Sequence, residues 1–226
     1  MLSQLASIYD PLGLASPTSL IGEQLYRDIC DNITPWDTQL PESLFKRWRD
    51  WNSTLREDLV VPRALTPYHQ PTSQLTLHAF GDASVNGACV AVYAVVHLGE
   101  IVTQQLVCAK SRLAKKNLTI PRLELIARHM SVNLVTNVQA ALTIHPSTIH
   151  CWLDSTIALY WIKGQGEYNS LSQTEWTRFN NTSKLHGITF QLRKTQLILT
   201  AEGEMLKTMF CGNKPNLAVR PIKLGA

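Results

Sequence analysis

Leu75-Thr-Leu-His-Ala-Phe80, Gly87-Ala-Cys-Val-Ala-Val-Tyr-Ala-Val-Val-His-Leu98 and Ile101-Val-Thr-Gln-Gln-Leu-Val-Cys-Ala-Lys110 are the runs whose reading decides the fold. Each is a strand candidate, and Gly99-Glu100 supplies a two-residue turn between the second and third. Three consecutive strands joined by tight turns predict an antiparallel meander.

The period changes after the third run. Pro121 opens a helix that extends to about Leu142, with Leu123, Ile126, Ala127, Met130, Leu134 and Val138 at helical spacing on one face. Ser147 to Leu153 reads as a fourth strand, and Thr156 to Lys163 as a short helix ended by Gly164 and Gly166. The expected fold is therefore α/β: a mixed sheet of three antiparallel strands, a helix, a parallel strand and a helix. The fourth strand returns beside the first by way of the long helix. Beyond residue 166 the pattern weakens, with a strand candidate at 188–199 and no clear period over 201–226.

Upstream, Pro62, Pro67 and Pro71 mark residues 61–74 as a linker. Before it, two helices are expected. One spans 17–30, with Leu20, Ile21, Leu25 and Ile29 as its stripe. The other runs from Pro41 to about Leu59, with Leu44, Phe45, Trp48, Trp51 and Leu55 on one face. The spacing of Trp48 and Trp51 marks them as helix core rather than as platforms for stacked bases. Residues 1–15 hold short apolar runs broken by Asp10-Pro11 and Gly13.

The totals are those of a globular chain. Of 226 residues, 45% are hydrophobic and 17% charged, which excludes the disorder signature. A net charge of +4, from 21 Lys and Arg against 17 Asp and Glu, permits an anionic partner without requiring one. The five cysteines are widely spaced and contain no C-x-x-C pair, so reduced thiols of an intracellular protein are expected, not a zinc knuckle. No secretory leader and no membrane span are expected. A structured pattern starts at once, which fits excision from a longer chain.

Three carboxylates carry the chemistry. Asp82 follows the first strand in Phe80-Gly-Asp-Ala-Ser84, and Asp154 follows the fourth in Leu153-Asp-Ser-Thr156. If those strands are neighbours, the two acids sit side by side, and their repulsion makes sense if cations bridge them. Glu124, in the first turn of the long helix and rotated off its buried stripe, is expected at the rim of the helix–sheet interface. Such an oxygen-donor set suits Mg²⁺, and a pair of ions can stabilise the attacking and leaving oxygens of phosphodiester hydrolysis. Each acid also has an ordinary role: Asp82 as a turn residue, Asp154 as a helix N-cap, Glu124 as a complement to the helix dipole. Lys110, Arg112, Lys115 and Lys116, just before the helix, read equally as a grip on phosphates and as a solvated charged loop.

Phe80-Gly-Asp-Ala-Ser84, Ile120-Pro-Arg-Leu-Glu-Leu125 and Leu153-Asp-Ser-Thr156 with Leu159-Tyr-Trp-Ile162 resemble the ribonuclease H motifs of BEL/Pao retrotransposon polyproteins. Leu2-Ser-Gln-Leu-Ala-Ser-Ile-Tyr-Asp-Pro-Leu-Gly-Leu14 resembles the segment that follows the reverse transcriptase palm in that family. The resemblance covers roughly residues 1–168. It implies a ribonuclease-H-like fold over 75–168, preceded by a helical connection at 1–60 and followed by a diverged tail at 169–226. It also implies that Asp82, Glu124 and Asp154 bind two Mg²⁺ or Mn²⁺ ions and that the substrate is the RNA strand of an RNA–DNA hybrid. The expected partners are that hybrid and the rest of a reverse transcriptase polyprotein.

One departure tempers the expectation. The family uses a fourth carboxylate near a C-terminal helix, whereas no Asp follows Asp154 here, and Lys214-Pro-Asn-Leu217 holds Asn216 where an acid would stand. Loss of one ligand weakens the second ion's site, so an inactive remnant that only binds nucleic acid or protein is the alternative reading. The same family region also carries the label of a retrotransposon peptidase. An aspartic peptidase needs Asp-Thr-Gly or Asp-Ser-Gly, and neither triplet occurs, so proteolysis is not expected. Nor is DNA synthesis, since no Tyr-x-Asp-Asp is present.

Overall fold

The computed structural model describes residues 2–32, 38–55, 64–66, 74–153, 155–156 and 188–192. Strands β1 (Gln74–Ala83), β2 (Gly87–Leu98) and β3 (Ile101–Leu113) form the expected meander. β1 pairs antiparallel with β2, and β2 antiparallel with β3. The β2–β3 turn is made by Gly99 and Glu100, where Gly99 adopts φ +64, a left-handed conformation that only glycine takes at no steric cost. Val92 faces Cys108 and Tyr93 faces Leu106, so Val107 is an extra residue that bulges β3.

Helix α4 (Ile120–Ala141) then crosses the sheet and delivers β4 (Thr148–Leu153), which lies parallel to β1. The register runs from Thr76 beside Thr148 to Phe80 beside Trp152. A fifth strand, β5 (Thr189–Leu192), lies parallel to β4 and falls within the expected 188–199. The order across the sheet is β3-β2-β1-β4-β5. Of the short helix expected at 156–163, residues 157–163 lie outside the described residues, as does the tail after Leu192.

Strand alternation sorts the two faces. Leu75, Leu77 and Ala79 of β1, Val90, Val92 and Val96 of β2 and Cys151 of β4 meet Ala127, Met130 and Val135 of α4 in the main core. Phe80, Cys89, Ala91, Tyr93 and Ala109 form a second cluster, with Trp152 packed against it. Its members alternate with those of the main core along β1 and β2, and so belong to the opposite face.

The N-terminal segment carries α1 (Leu2–Ala6), α2 (Ser16–Asp31) and α3 (Glu42–Asn52). Trp48 and Trp51 bury themselves against Leu25, with ring centroids 4.6 Å apart, and their indole N–H groups donate to Gln4 Oε1 and the Thr18 carbonyl. This narrow seam leaves Ile21 and Phe45 exposed, although both were expected on buried stripes. α3 also stops earlier than its apolar spacing predicts. The hydroxyls of Ser53 and Thr54 donate to the carbonyls of Asp50 and Trp51, and that local bonding competes with helical continuation.

This segment docks on the sheet through β3, an edge strand. The Ala109 N–H donates to the Leu12 carbonyl at 2.7 Å, and Asp10 holds the loop by accepting from the N–H groups of Leu14 and Ala15. Gly13 sits over Ala109 with φ +72, and a Cβ there would stand 1.7 Å from the Ala109 carbonyl oxygen. Gly13→Ala therefore combines left-handed strain with an overlap relieved only by breaking the Leu12–Ala109 bond. The expected loss is roughly 2–4 kcal/mol in urea unfolding, and a change under about 0.5 kcal/mol would show that the contact does not hold in solution.

Candidate active site

Asp82 lies near the end of β1, opposite Cys89 of β2, and is half-buried. Its carboxylate accepts from the Ala83 N–H at 2.8 Å. The chain then turns through Ser84–Gly87, closed by the Ser84 N–H donating to the Gly87 carbonyl at 2.8 Å. One residue before Asp82, Gly81 touches α4. A Cβ at Gly81 would come within 2.4 Å of Ser131 Oγ and 3.1 Å of the Ala127 carbonyl oxygen. The strand that carries the first acid thus contacts the helix that carries the second with no side chain of its own in between.

Glu124 is the fifth residue of α4, just past the first turn, one helical turn before Ala127. About 4.5 Å of helix axis separates it from the point where Gly81 makes contact. It is expected at the rim of the helix–sheet interface, and its side chain there is buried, with an exposure of only 5%. The reason is that Leu123, Leu125, Ala127 and Arg128 are buried as well, so this stretch of α4 is enclosed around most of its circumference. Asp154 lies outside the described residues, and Leu153, the last residue of β4, is fully buried. Among the described residues no group of three or more His, Cys, Asp or Glu converges as a metal site.

The four basic residues divide between two surroundings. Lys110 and Arg112 are exposed on β3, opposite Val90 and Ala88, and so share the α4 side of the sheet. β3 extends past the expected end at Lys110, because Gly87 and Ala88 continue the pairing, and that places Arg112 on a strand rather than in a loop. Lys115 and Lys116 are exposed beyond the strand, and Lys116 pairs with Asp31 of α2. An exposed pair of this kind adds little stability.

The sequence reading missed a group of stacked rings on the second face. His78 stacks on His150 at 5.1 Å, and Phe80 on Trp152 at 6.1 Å. The Trp152 Nε1–H donates to His78 Nδ1 at 3.0 Å, and His78 Nε2 lies 3.2 Å from Thr76 Oγ1. Indole nitrogen only donates, so His78 Nδ1 carries no proton and Nε2–H is the tautomer present. Burial, and next the neighbouring His150, lower the His78 pKa from 6.5 to about 4. Between those values the unfolded chain binds the proton and the folded chain refuses it. Stability is therefore complete above pH 6.5 and falls as the pH drops toward 4. The expected loss between pH 7 and pH 4.5 is roughly 1 kcal/mol, because solvent screens this partly exposed ring, and His78→Gln should shrink it. Equal losses for both chains in urea titrations would remove His78 as the cause.

A buried charged residue also went unforeseen. Arg128 is 2% exposed, with its guanidinium 4.5 Å from the centre of the Phe190 ring, tying α4 to β5. Burial lowers its pKa to about 10, an effect opposed by the nearby Cys151. Burial likewise pushes the Cys151 thiol up to about 12, which leaves it protonated and unreactive.

An antiparallel three-stranded meander, a helix packed on one face, and parallel fourth and fifth strands in the order β3-β2-β1-β4-β5 define a ribonuclease-H-like domain. The family model described as the Pao retrotransposon-like RNaseH-like domain matches residues 1–155. The chain belongs to this family and is a ribonuclease-H-like domain of retrotransposon type.

Among solved structures, the foamy viral protease-reverse transcriptase in complex with dsDNA is similar, with a TM-score of 0.52 and 15% identity. That match covers 85% of this chain and 40% of the viral one. Its dRH form, also with ds DNA, matches at a TM-score of 0.51 and 15% identity, over 85% of this chain and 34% of that chain. RNase H1 from the halophilic archaeon Halobacterium salinarum matches at a TM-score of 0.32 and 18% identity, over 52% of this chain and 86% of its own. The chain thus spans well under half of the viral enzyme that it resembles. A comparison with curated proteins returns no match. Among the described residues no helix is long and apolar enough to cross a membrane.

Proposed function

We propose that this chain is a divalent-metal-dependent nuclease domain that cleaves the RNA strand of RNA–DNA hybrids within a reverse transcriptase polyprotein. The observation that carries the reading is the parallel register of β1 and β4, which ends with Phe80 beside Trp152. Each of these residues is followed two positions later by an aspartate, Asp82 and Asp154. Glu124 would join the same site, since it lies one helical turn before Ala127, whose carbonyl faces Gly81 beside Asp82.

The donor set is all carboxylate oxygen, which suits Mg²⁺ or Mn²⁺. Asp82, Glu124 and Asp154 would hold the ions, whose chemistry there is to lower the pKa of the attacking water and neutralise charge on the leaving oxygen. The residues' own part is to converge three negative groups from two strand ends and a helix. Lys110, Arg112, Lys115 and Lys116 would contact backbone phosphates, which position a duplex without reading its sequence.

The absence of any Asp after Asp154 favours a second reading, an inactive remnant that keeps the fold but holds ions weakly. Titration of the chain with Mn²⁺, followed by incubation with a labelled hybrid, separates the two. Saturable binding that Asp82→Asn weakens, together with hybrid cleavage, is the expected result. A folded chain that neither binds nor cleaves would leave the remnant.

A further inference from the structure

We infer that α2 is a brace for the candidate site and that Arg27 is its positioning residue, a role that rests on the nuclease reading only for its effect on metal binding. Leu20, Gln24 and Arg27 follow one another at i, i+4 and i+7 on α2 and so share one face. All three land on the two loops that flank the carboxylates.

Leu20 packs on Gly87, where an added Cβ would be 3.0 Å from Leu20 Cδ2. Gln24 Nε2 donates to the Asn86 carbonyl at 3.5 Å. Arg27 Nη1 donates to the Ala114 carbonyl at 2.6 Å. The two loops are joined to each other by the Ala114 N–H, which donates to the same Asn86 carbonyl at 3.0 Å.

The Ser84–Gly87 turn starts two residues after Asp82, and Ala114 opens the connection from β3 to α4, the helix of Glu124. One helix face therefore clamps the entry to both acids. Ala114 is itself buried, with an exposure of 4%. A charged donor makes a stronger bond than a neutral one, which favours Arg27 as the anchor of the clamp. Gly22 and Leu25 are where α2 packs on the tryptophans of α3. The Leu20–Gln24–Arg27 face explains why α2 is held against the sheet where it is.

The test uses the full chain with Arg27→Ala and Arg27→Lys. Amide hydrogen exchange is followed at Ser84, Ala114 and, as a core reference, Val135. Mn²⁺ binding is measured on the same samples. Arg27→Ala should speed exchange at Ser84 and Ala114 but not at Val135, and should raise the half-saturating Mn²⁺ concentration about tenfold. Arg27→Lys, which keeps a charged donor, should restore most of both.

Unchanged exchange at Ser84 and Ala114 would overturn the brace. Faster exchange at Val135 as well would overturn it too, by making Arg27 a general stability residue. Altered exchange with unaltered Mn²⁺ binding would overturn the link to the site. If the unsubstituted chain binds no Mn²⁺, the nuclease reading fails, while the exchange data still decide the brace.

Discussion

Asp82→Asn is expected to lower cleavage of an RNA–DNA hybrid by about three orders of magnitude, since metal ions supply several kcal/mol of transition-state stabilisation at 1.36 kcal/mol per factor of ten. The substitution removes one negative charge and turns an oxygen ligand into a neutral amide. It leaves the strand intact, because the amide oxygen can still accept from the Ala83 N–H as the carboxylate does. Asp82 is only half-buried and the substitution is isosteric, so unfolding in urea should change by less than about 1 kcal/mol. Steady-state cleavage across a Mg²⁺ series is the measurement. Cleavage that persists within threefold of the unsubstituted chain would remove Asp82 from the site.

Gly81→Ala should act through packing. The new Cβ would meet Ser131 Oγ at 2.4 Å and the Ala127 carbonyl at 3.1 Å. Ser131 is fully buried and its hydroxyl donates to that same carbonyl at 2.9 Å, so it has little freedom to move aside. The helix must shift off β1, at a cost of about 2–3 kcal/mol. Ser131→Gly in the same chain removes the nearer obstacle and should recover at least about 1 kcal/mol of that loss as a coupling energy. Because α4 also carries Glu124, hybrid cleavage by the folded fraction should fall as well. A Gly81→Ala chain as stable as the original would show that the helix and strand do not pack this closely.

Much of the sheet was legible from local pattern. The runs at 75–80, 87–98 and 101–110 became β1, β2 and β3, and the stripe from Leu123 to Val138 became the buried side of α4. A parallel fourth strand beside the first followed from the order of elements, and the register agrees. Boundaries set by competition with side chains were less visible, as at Ser53 and Thr54, where hydroxyls end α3. The exposed positions of Ile21 and Phe45 were hidden too, because helical spacing defines a face without saying how wide its partner is.

The candidate site divides in the same way. Asp82 and Glu124 were found as acids placed where apolar elements end or begin, an anomaly visible in the chain itself. The depth of Glu124 was not, since it depends on Leu123, Leu125 and Arg128 all being enclosed. His78 meets Trp152 from 74 residues away, and Arg27 meets Ala114 from 87. Neither pair leaves a periodic trace.

What the amino-acid sequence determines by itself is therefore the meander, the long helix, the returning strand and the acids that punctuate them, because strand and helix periods are read residue by residue. Only the tertiary structure decides that Gly81 must be bare, that His78 stays neutral against an indole N–H, and that α2 rests on the turn after Asp82. Those facts belong to pairs of distant residues, and a pair exists physically only once the sheet order has set one element beside another.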